Sequence, residues 1–154
     1  FRDTRLVTFL RRPADQPPVR FYERLEPAVF VLRLVPGMRA DIIPLLAPHY
    51  RALVLESFGV GGLPGGEHGE MFAALRCWCE SGRLAVFTTQ VPHEGCDLAV
   101  YEVGRAVGEL PGVLEARDMT PEAVAVKLMW ARGQTEDREK AARLFETPIE
   151  YDIM

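Results

Sequence analysis

The chain has 154 residues, of which 48% are hydrophobic and 26% are charged, with a formal net charge of −4. This length and composition allow one α/β domain with a real hydrophobic core, and they exclude a mainly disordered chain. The acidic balance gives no support to a nucleic-acid partner, and no apolar run reaches the roughly 18 residues that a membrane span needs.

The amino-terminal part of the chain predicts a lead-in segment before the main domain. Residues 4–10 have the pattern of a short strand, and the prolines over residues 13–18 keep the following loop out of the centre of a sheet. We therefore predict a lead-in strand and proline-rich linker over residues 1–27 and an α/β domain over residues 28–154. The chain begins with Phe1 rather than methionine, which suggests a piece of a longer protein.

Runs of apolar and β-branched residues predict the strands of the main domain. The run over residues 28–35 is almost continuous, a pattern typical of a strand that is buried on both faces. Further strands are predicted at residues 51–56 and 84–89, and a short fourth strand at residues 113–115.

Helical periodicity and capping signals predict helices in the intervals between these strands and after the last one. Asp41 is predicted to cap a short helix that runs through Ala47. Thr120, followed by proline at the first helical position, is predicted to cap a later helix that ends at Gly133. The other predicted helices span residues 67–79, 97–109 and 136–145, the last of them capped by Thr135.

The alternation of strands and helices predicts the fold class. We expect an α/β fold of three layers, in which about four mostly parallel strands form a Rossmann-like sheet with helices on both faces. Each connection between parallel strands should be right-handed. In such a sheet ligands bind at the carboxyl ends of the strands, so the segments that follow residues 51–56 and 84–89 form the candidate site.

The segment that follows the second predicted strand is rich in glycine. Gly59 and Gly61 fit the first two glycines of the Gly-x-Gly-x-x-Gly nucleotide-binding pattern, but Pro64 occupies the third position. The sequence also lacks the Gly-Lys-Ser/Thr ending of a phosphate-binding loop. The stretch is therefore not predicted to bind a nucleotide. Its simplest interpretation is a strand-to-helix turn whose glycines need positive φ angles.

The cysteine and histidine content argues against disulfides and bound metal. Cys77, Cys79 and Cys96 suit reduced thiols in the cytoplasm better than a disulfide framework. The three histidines are scattered along the chain, so no metal site is predicted. No Ser-His-Asp or Cys-His arrangement points to a nucleophile, and no cofactor is predicted.

Several segments, taken in order, resemble one known family. Residues 51–64, with the sequence Glu-Ser-Phe-Gly-Val-Gly-Gly at their centre, are similar to the carboxy-terminal domain of the cytoplasmic-type (type I) bacterial L-asparaginases. Further similar segments lie at residues 35–38, 87–91, 97–105, 118–130 and 146–150. The resemblance extends from residue 28 to the end of the chain.

This resemblance implies an amidohydrolase that converts L-asparagine to L-aspartate and ammonia without a cofactor. In the family, a threonine nucleophile and a Thr-Lys-Asp group belong to an amino-terminal domain, and their motifs do not occur in this sequence. The resemblance therefore implies that this chain holds no catalytic residue and is inactive alone. It also implies a cytoplasmic homodimer or homotetramer in which this domain closes the active site of a neighbouring subunit.

Five residues are the candidates for contacting substrate in that neighbouring site: Ser57, Gly61, Gly62, Gln90 and Glu94. Glu94 is expected to bind the amino group of asparagine, and a solvated loop carboxylate is the alternative. Gln90 either orients its loop or satisfies backbone groups at the strand end. Gly62 stands where the family usually has asparagine, and we expect an asparagine there to fit at little steric cost.

Two further positions depart from the family. Some cytoplasmic relatives bind asparagine at a regulatory site through an arginine and a cysteine, and the matching positions here are Glu56 and Val91. Because glutamate inverts the charge that would bind a ligand carboxylate, no regulation through the same contacts is expected.

Two alternative functions stay open at this point. The first is the asparaginase-like subunit of an archaeal glutamyl-tRNA(Gln) amidotransferase, which feeds ammonia to a partner. A longer gene with an extra leading domain would favour it. The second is a non-catalytic domain that binds a small molecule and has lost its catalytic half. A Thr-Gly-Gly-Thr segment encoded upstream would favour the enzyme.

Overall fold

The computed structural model describes residues 18–59, 61–65, 69–149 and 152–153. In chain order, the elements within these ranges are β1 (Val29–Arg33), α1 (Ile42–Leu46), β2 (Ala52–Ser57), α2 (Glu70–Glu80), β3 (Leu84–Thr89), α3 (Glu102–Gly108), β4 (Val113–Glu115), α4 (Pro121–Gln134) and α5 (Arg138–Glu146). None of the described helices has the length and apolar character that crossing a membrane would need. The strand predicted over residues 4–10 lies outside the described residues.

The four strands form one parallel sheet in the order β1-β2-β3-β4. Leu53 of β2, for example, pairs with Phe30 of β1 and with Ala85 of β3. Since each strand lies beside the preceding one, crossovers of a single hand place the three connecting helices on the same face of the sheet. The predicted α/β fold with a four-stranded parallel sheet is confirmed.

Two apolar clusters flank the sheet and define its three layers. On one face, α1 and α2 contribute buried residues such as Ile43 and Leu75. On the other face, α4 and α5 contribute Leu128 and Phe145. Alternate residues of β2 and β3 face the two clusters, and both strands are almost wholly buried. The sheet therefore fixes the strand ends as a rigid base for the loops that follow them.

β1 lies at the edge of the sheet and is less buried than its sequence predicts. Val29 and Leu32 are buried, whereas Val31 is 39% exposed and the side chain of Arg33 reaches solvent. An edge strand has a neighbouring strand on one side only, so the flanking layers cover it incompletely. The prediction of a strand buried on both faces is wrong for β1, whereas β2 and β3 are buried on both faces.

The predicted cap of α4 is present, and the predicted cap of α1 is not. Thr120 Oγ1 accepts a hydrogen bond from the backbone N–H of Ala123 at 3.3 Å. Asp41 precedes α1 but makes no side-chain cap. Its carboxylate instead accepts two hydrogen bonds from the guanidinium of Arg39, at 2.7 and 3.0 Å, which lowers the pKa of Asp41. The neighbouring arginine thus competes successfully with the helix for this carboxylate.

The cap of α5 is displaced by two residues from its predicted position. Asp137, and not Thr135, accepts from the backbone of the first turn, where the N–H of Lys140 lies 3.0 Å from Oδ1. Thr135 Oγ1 accepts from the N–H of Asp137 at 3.1 Å. The hydroxyl therefore shapes the turn before the helix, and the carboxylate, which suits the positive end of the helix dipole, caps it.

Gly133 does not end α4, because the helix continues to Gln134. A Cβ at Gly133 would overlap the carbonyl oxygen of Arg24, which also accepts from Gln134 Nε2 at 2.8 Å. Nearby, the N–H of Glu26 donates to the carbonyl of Met129 at 2.9 Å. The glycine therefore lets the lead-in backbone cross α4 closely. The boundary between the lead-in segment and the main domain stays a prediction.

α3 is shorter than predicted because the segment before it is held in turns. The helix begins at Glu102, five residues after the predicted start at Asp97. The carboxylate of Asp97 accepts from the N–H of Ala99 at 2.9 Å, and the N–H of Leu98 donates to the carboxylate of Glu115 at 2.7 Å. Side chains that satisfy backbone groups in this way offer the chain an alternative to helix.

Two of the three cysteines are buried in the core. Cys79 and Cys96 are almost inaccessible to solvent, whereas Cys77 is exposed on α2. Burial raises the pKa of the Cys79 thiol to about 11 and that of the Cys96 thiol to about 12. Both thiols are therefore neutral near pH 8. Because these pKa values lie above the ordinary value of 9.0, the stabilisation from neutral thiols is complete below that pH and is lost as the pH rises above it.

Alkylation should distinguish the three thiols. Near pH 8, we expect iodoacetamide to modify Cys77 in the folded chain and all three cysteines in the unfolded chain, because a neutral buried thiol is a poor nucleophile. Mass spectrometry after timed labelling, with and without urea, measures this. Modification of Cys79 or Cys96 in the folded chain at the rate of Cys77 would contradict the burial.

Candidate functional site

The carboxyl ends of β1, β2 and β3 meet at one edge of the sheet. This carboxyl edge (residues 33–35, 56–59, 61–62 and 88–91) contains four of the five residues that the sequence singles out. At the ends of parallel strands, backbone groups are no longer paired by the ladder, so side chains there can fix the geometry of the following loops.

Gln90 links the ends of three strands. Its Nε2 donates to the carbonyl oxygen of Leu34 at 2.6 Å and to that of Glu56 at 2.8 Å. Its Oε1 accepts from Nε of Arg33 at 3.1 Å, and its backbone N–H donates to the carbonyl of Ser57 at 3.0 Å. Both hydrogens of the amide are thus used inside the protein. Of the two roles expected for Gln90, this geometry favours support of the strand ends.

Two hydroxyls fasten β2 and its loop to β3. Ser57 is fully buried, and its Oγ donates to the carbonyl of Thr88 at 2.9 Å. Thr89 Oγ1 donates to the carbonyl of Gly59 and accepts from the N–H of Val91 at 3.0 Å. The side chain of Ser57 is therefore committed to the backbone of β3, and Thr89 connects the glycine turn to the same strand.

Sequence reasoning placed Thr89 at this edge without giving its side chain a role, and it missed Arg33. Both are the last residues of their strands, where a polar side chain ends an apolar run. A polar residue at the end of an apolar run is the sequence signal that could have identified both side chains. Glu115, the last residue of β4, follows the same rule and accepts from the N–H of Leu98 in the loop before α3.

The glycine turn begins at Phe58 and closes at Gly62. The N–H of Gly62 donates to the carbonyl of Phe58 at 2.9 Å. Gly59 has a φ of +62°, which a residue with a side chain rarely adopts. Gly61 and Gly62 are outside that region, so only Gly59 among these three glycines meets the expected need for a positive φ.

Close packing instead constrains Gly62 strongly and Gly61 weakly. A Cβ at Gly62 would lie 2.6 Å from the carbonyl oxygen of Phe58, so the expectation that asparagine fits at Gly62 with little steric cost is wrong for this turn. A Cβ at Gly61 would lie 3.3 Å from Leu98 Cδ2 and 3.5 Å from the carbonyl oxygen of Asp97. The turn thus packs against the loop before α3.

Glu94 is exposed on the loop between β3 and α3. The following part of this loop is fixed to the end of β4. The N–H of Cys96 donates to the carbonyl of Arg117 at 2.7 Å, and the N–H of Leu98 donates to Glu115. Glu94 therefore lies on a short exposed segment with an anchored end. A carboxylate in this place can reach a neighbouring molecule, and it can also remain solvated.

Glu56 brings a negative charge to the carboxyl edge. Its side chain is largely buried, and Oε2 lies 3.9 Å from NH1 of Arg33. The carboxylate therefore faces a guanidinium of the same chain. This arrangement supports the expectation that a ligand carboxylate is not bound here.

The described residues contain no hydroxyl or thiol that is activated for nucleophilic attack. The hydroxyls of Ser57, Thr89 and Thr147 donate to backbone carbonyls, and the described residues provide no histidine, lysine or carboxylate that accepts from them. The thiols of Cys79 and Cys96 are held neutral by burial. Within the same part of the chain, no group of three or more His, Cys, Asp or Glu could hold a metal ion.

Comparisons with known proteins point to a single family. The model of the family described as "Glutaminase/Asparaginase C-terminal domain" matches residues 28–145. The chain is 38% identical over 151 residues to L-asparaginase of Thermococcus kodakarensis, which covers 98% of this chain and 45% of that protein. It is 34% identical over 132 residues to a glutamyl-tRNA(Gln) amidotransferase subunit of Metallosphaera sedula, covering 85% of this chain and 29% of that relative.

Solved structures show the same relationship. The thermostable L-asparaginase from Thermococcus kodakarensis superposes with a TM-score of 0.78 at 35% identity, covering 92% of this chain and 44% of that one. L-asparaginase I from Vibrio cholerae gives a TM-score of 0.77 at 25% identity, covering 94% and 42%. The chain therefore spans less than half the length of each of these relatives.

Proposed function

This chain belongs to the glutaminase/asparaginase C-terminal domain family, and we propose that it is the carboxy-terminal domain of an L-asparaginase that hydrolyses L-asparagine to L-aspartate and ammonia. The observation that carries this proposal is the family match over residues 28–145, which is supported by the likeness to L-asparaginases in sequence and in fold. The family resemblance predicted from the sequence is confirmed.

The reacting groups are proposed to lie in an amino-terminal domain outside this chain. Two observations support this. The described hydroxyls of Ser57 and Thr89 donate to backbone carbonyls, and burial holds the thiols of Cys79 and Cys96 neutral. The L-asparaginase relatives are more than twice as long as the region that the chain matches. The chain alone should therefore release no ammonia from asparagine.

The carboxyl edge is proposed to close the active site of a neighbouring subunit in a homodimer or homotetramer. Glu94, exposed beside this edge, would bind the amino group of asparagine through a charge-assisted hydrogen bond. Gly61 and Gly62 would present bare backbone to that site. Ser57 and Gln90 would hold the strand ends beneath it. Cys77 and Cys79, which form no disulfide, support a cytoplasmic location.

Steady-state ammonia release tests this proposal. We expect the full-length protein to hydrolyse asparagine and the 154-residue chain alone to be inactive. In the full-length protein, Glu94→Gln should raise KM for asparagine about tenfold, because one charge-assisted contact is lost. Glu109→Gln, which changes another exposed carboxylate, should leave KM unchanged. Ammonia release by the chain alone would refute the assignment of the chemistry to another domain, and a normal KM for Glu94→Gln would remove Glu94 from the site.

A second candidate is favoured by the relatives named as glutamyl-tRNA(Gln) amidotransferase subunits, which are 29–34% identical to this chain. In that case the full-length protein would serve as the ammonia-producing subunit of a larger complex. Ammonia release that depends on a partner subunit would support this candidate, and full activity of the isolated protein would support the asparaginase. A full-length protein that binds asparagine without hydrolysing it would support a non-catalytic binding domain.

A further inference from the structure

The amino ends of the strands form a second edge of the sheet, opposite the carboxyl edge. The segments before β1, β2 and β3 line a cavity of about 360 Å³ there, together with the end of α4. Four basic side chains line this basic cleft: His49, Arg51, Arg83 and Arg132. Such a concentration of guanidinium groups requires an explanation in a chain whose formal net charge is −4.

The free carbonyls at the ends of helices explain why some of these basic side chains lie in the cleft. Helices that return between parallel strands end at this edge, where their free carbonyls carry partial negative charge. Arg83 NH2 donates to the carbonyl of Ala47 at 3.0 Å, just after α1. The same guanidinium also donates to Ser81 Oγ and lies 5.1 Å from the ring centroid of Trp78. Within the described residues, no carboxylate forms an ion pair with Arg83.

A backbone carbonyl after α4 accounts for only part of Arg132, whose NH1 donates to the carbonyl of Glu136 at 3.3 Å. The side chain of Arg132 is only 8% exposed, and its Nε is buried without a hydrogen-bond partner in the described part of the chain. A buried donor without an acceptor is costly, and natural proteins rarely keep one unless another group fills the role. Arg132 also lines the basic cleft, so a shift of its guanidinium towards an acceptor bound there could supply the missing partner.

The carboxylate of Glu136 shows where such an acceptor would bind. Its Oε2 lies 3.0 Å from NH1 of Arg51 and 3.8 Å from NH2 of Arg132, so one anionic oxygen bridges two guanidinium groups. The side chain of Glu136 is 82% exposed and can leave this position at little cost. Arg51 has a second partner in Glu26, at 3.4 Å.

We propose that the basic cleft binds a phosphate group, with Arg51, Arg83 and Arg132 as its ligands and Glu136 as a tethered competitor. Arginine matches the oxygens of phosphate with several parallel hydrogen bonds. A free monocarboxylate would compete poorly with a carboxylate that is already attached to the chain at high effective concentration. A phosphate carries more charge and one more oxygen, so it can displace Glu136.

Calorimetric titration of inorganic phosphate into the chain at low ionic strength tests this site. We expect one saturable binding site, with line broadening of the phosphate signal in phosphorus NMR. Acetate should not bind measurably. Glycerol phosphate, titrated in parallel, distinguishes a site for phosphate esters, which it would fill, from a site that accepts free phosphate alone. The absence of saturable binding of either phosphate compound would overturn the proposal.

Three variants separate a built site from general charge attraction. Arg83→Gln should weaken phosphate binding at least tenfold, whereas Arg76→Gln, on the exposed face of α2, should leave it within twofold. Glu136→Gln should tighten binding severalfold, because it removes the competing charge. Circular dichroism verifies that the variants are folded. Unchanged affinity in Arg83→Gln, or weaker binding in Glu136→Gln, would contradict the proposal.

Discussion

Replacing Gln90 with leucine should reduce kcat/KM of the full-length protein for asparagine on the order of a hundredfold, since small displacements of positioned groups have large effects on rate. The substitution removes the bonds from Nε2 to the carbonyls of Leu34 and Glu56 and the bond from Arg33 to Oε1. Glu56 keeps a second donor, the N–H of Leu34, but the carbonyl of Leu34 loses its side-chain partner. The three strand ends would no longer be fixed relative to one another.

The same substitution should lower the free energy of unfolding by about 2 kcal/mol, the cost of leaving a part-buried acceptor unpaired. Gln134→Leu is a matched control. Gln134 Nε2 also donates to two backbone carbonyls, those of Arg24 and Trp130, but at the carboxy-terminal end of α4. We expect Gln134→Leu to lose about 1 kcal/mol of stability with kcat/KM unchanged within twofold.

Urea denaturation and steady-state ammonia release measure the two effects separately. If both leucine variants lost activity in proportion to their loss of stability, Gln90 would have no positioning role. A normal kcat/KM in a folded Gln90→Leu protein would show that the carboxyl edge does not contribute to the active site.

The sequence predicts the limits of the four described strands to within two residues, whatever their burial. β3 and β4 occupy the predicted ranges, 84–89 and 113–115, because apolar runs bounded by glycine, proline or charged residues leave little choice of register. β1 has an equally apolar sequence, but its position at the edge of the sheet leaves Val31 exposed. Edge position is a property of strand order, which a single strand does not encode.

Local capping signals fail when a second residue competes for the cap or when another side chain binds the capping group. Thr120, followed by proline, caps α4 as predicted. Asp137 takes the cap that the pattern assigns to Thr135, two residues earlier, because both residues satisfy the same local rule. Asp41 loses its cap to an ion pair with Arg39. These outcomes depend on side-chain geometry that spacing alone does not determine.

The candidate site depends most on contacts between distant parts of the chain. Gln90 bonds to carbonyls 56 and 34 residues away. The steric restriction at Gly62 comes from the carbonyl oxygen and the ring of Phe58, and their positions follow from the closed turn. The sequence could therefore identify these residues by their place at strand ends, but it could not assign them to support or to close packing.

Replacing Asp152 with asparagine should lower the free energy of unfolding by about 3 kcal/mol, because it removes the counter-ion of a buried charge. Lys127 Nζ lies 2.8 Å from Asp152 Oδ2 and donates to the carbonyl of Thr147 at 2.9 Å. The side chain of Lys127 is 5% exposed, and that of Asp152 is 25% exposed. Asparagine can still accept from the N–H of Ile149 through Oδ1, so the charge is the main loss.

The reverse substitution, Lys127→Met, should be less costly, about 1 kcal/mol, because the remaining carboxylate is open to water. Methionine also retains an apolar stem of similar length, although it loses the contact of Lys127 Nζ with the Phe145 ring, 5.7 Å from the ring centroid. The double variant with Lys127→Met and Asp152→Asn should therefore be more stable than Asp152→Asn alone. The difference from additivity measures the coupling between the two side chains.

Equilibrium unfolding in urea of the wild type, both single variants and the double variant supplies these values. Glu139→Gln is the control, because the ion pair between Glu139 and Arg143 is exposed and has an N–O distance of 4.0 Å. Loss of this pair should change the free energy of unfolding by at most about 0.5 kcal/mol. Equal losses for Asp152→Asn and Lys127→Met would mean that the difference in burial has no energetic consequence. The expected asymmetry would instead show that one buried ammonium on α4 holds Thr147 and Asp152 against the helical layer. In that case, the segment after α5 is fixed to the domain by a charge as well as by the buried side chain of Ile153.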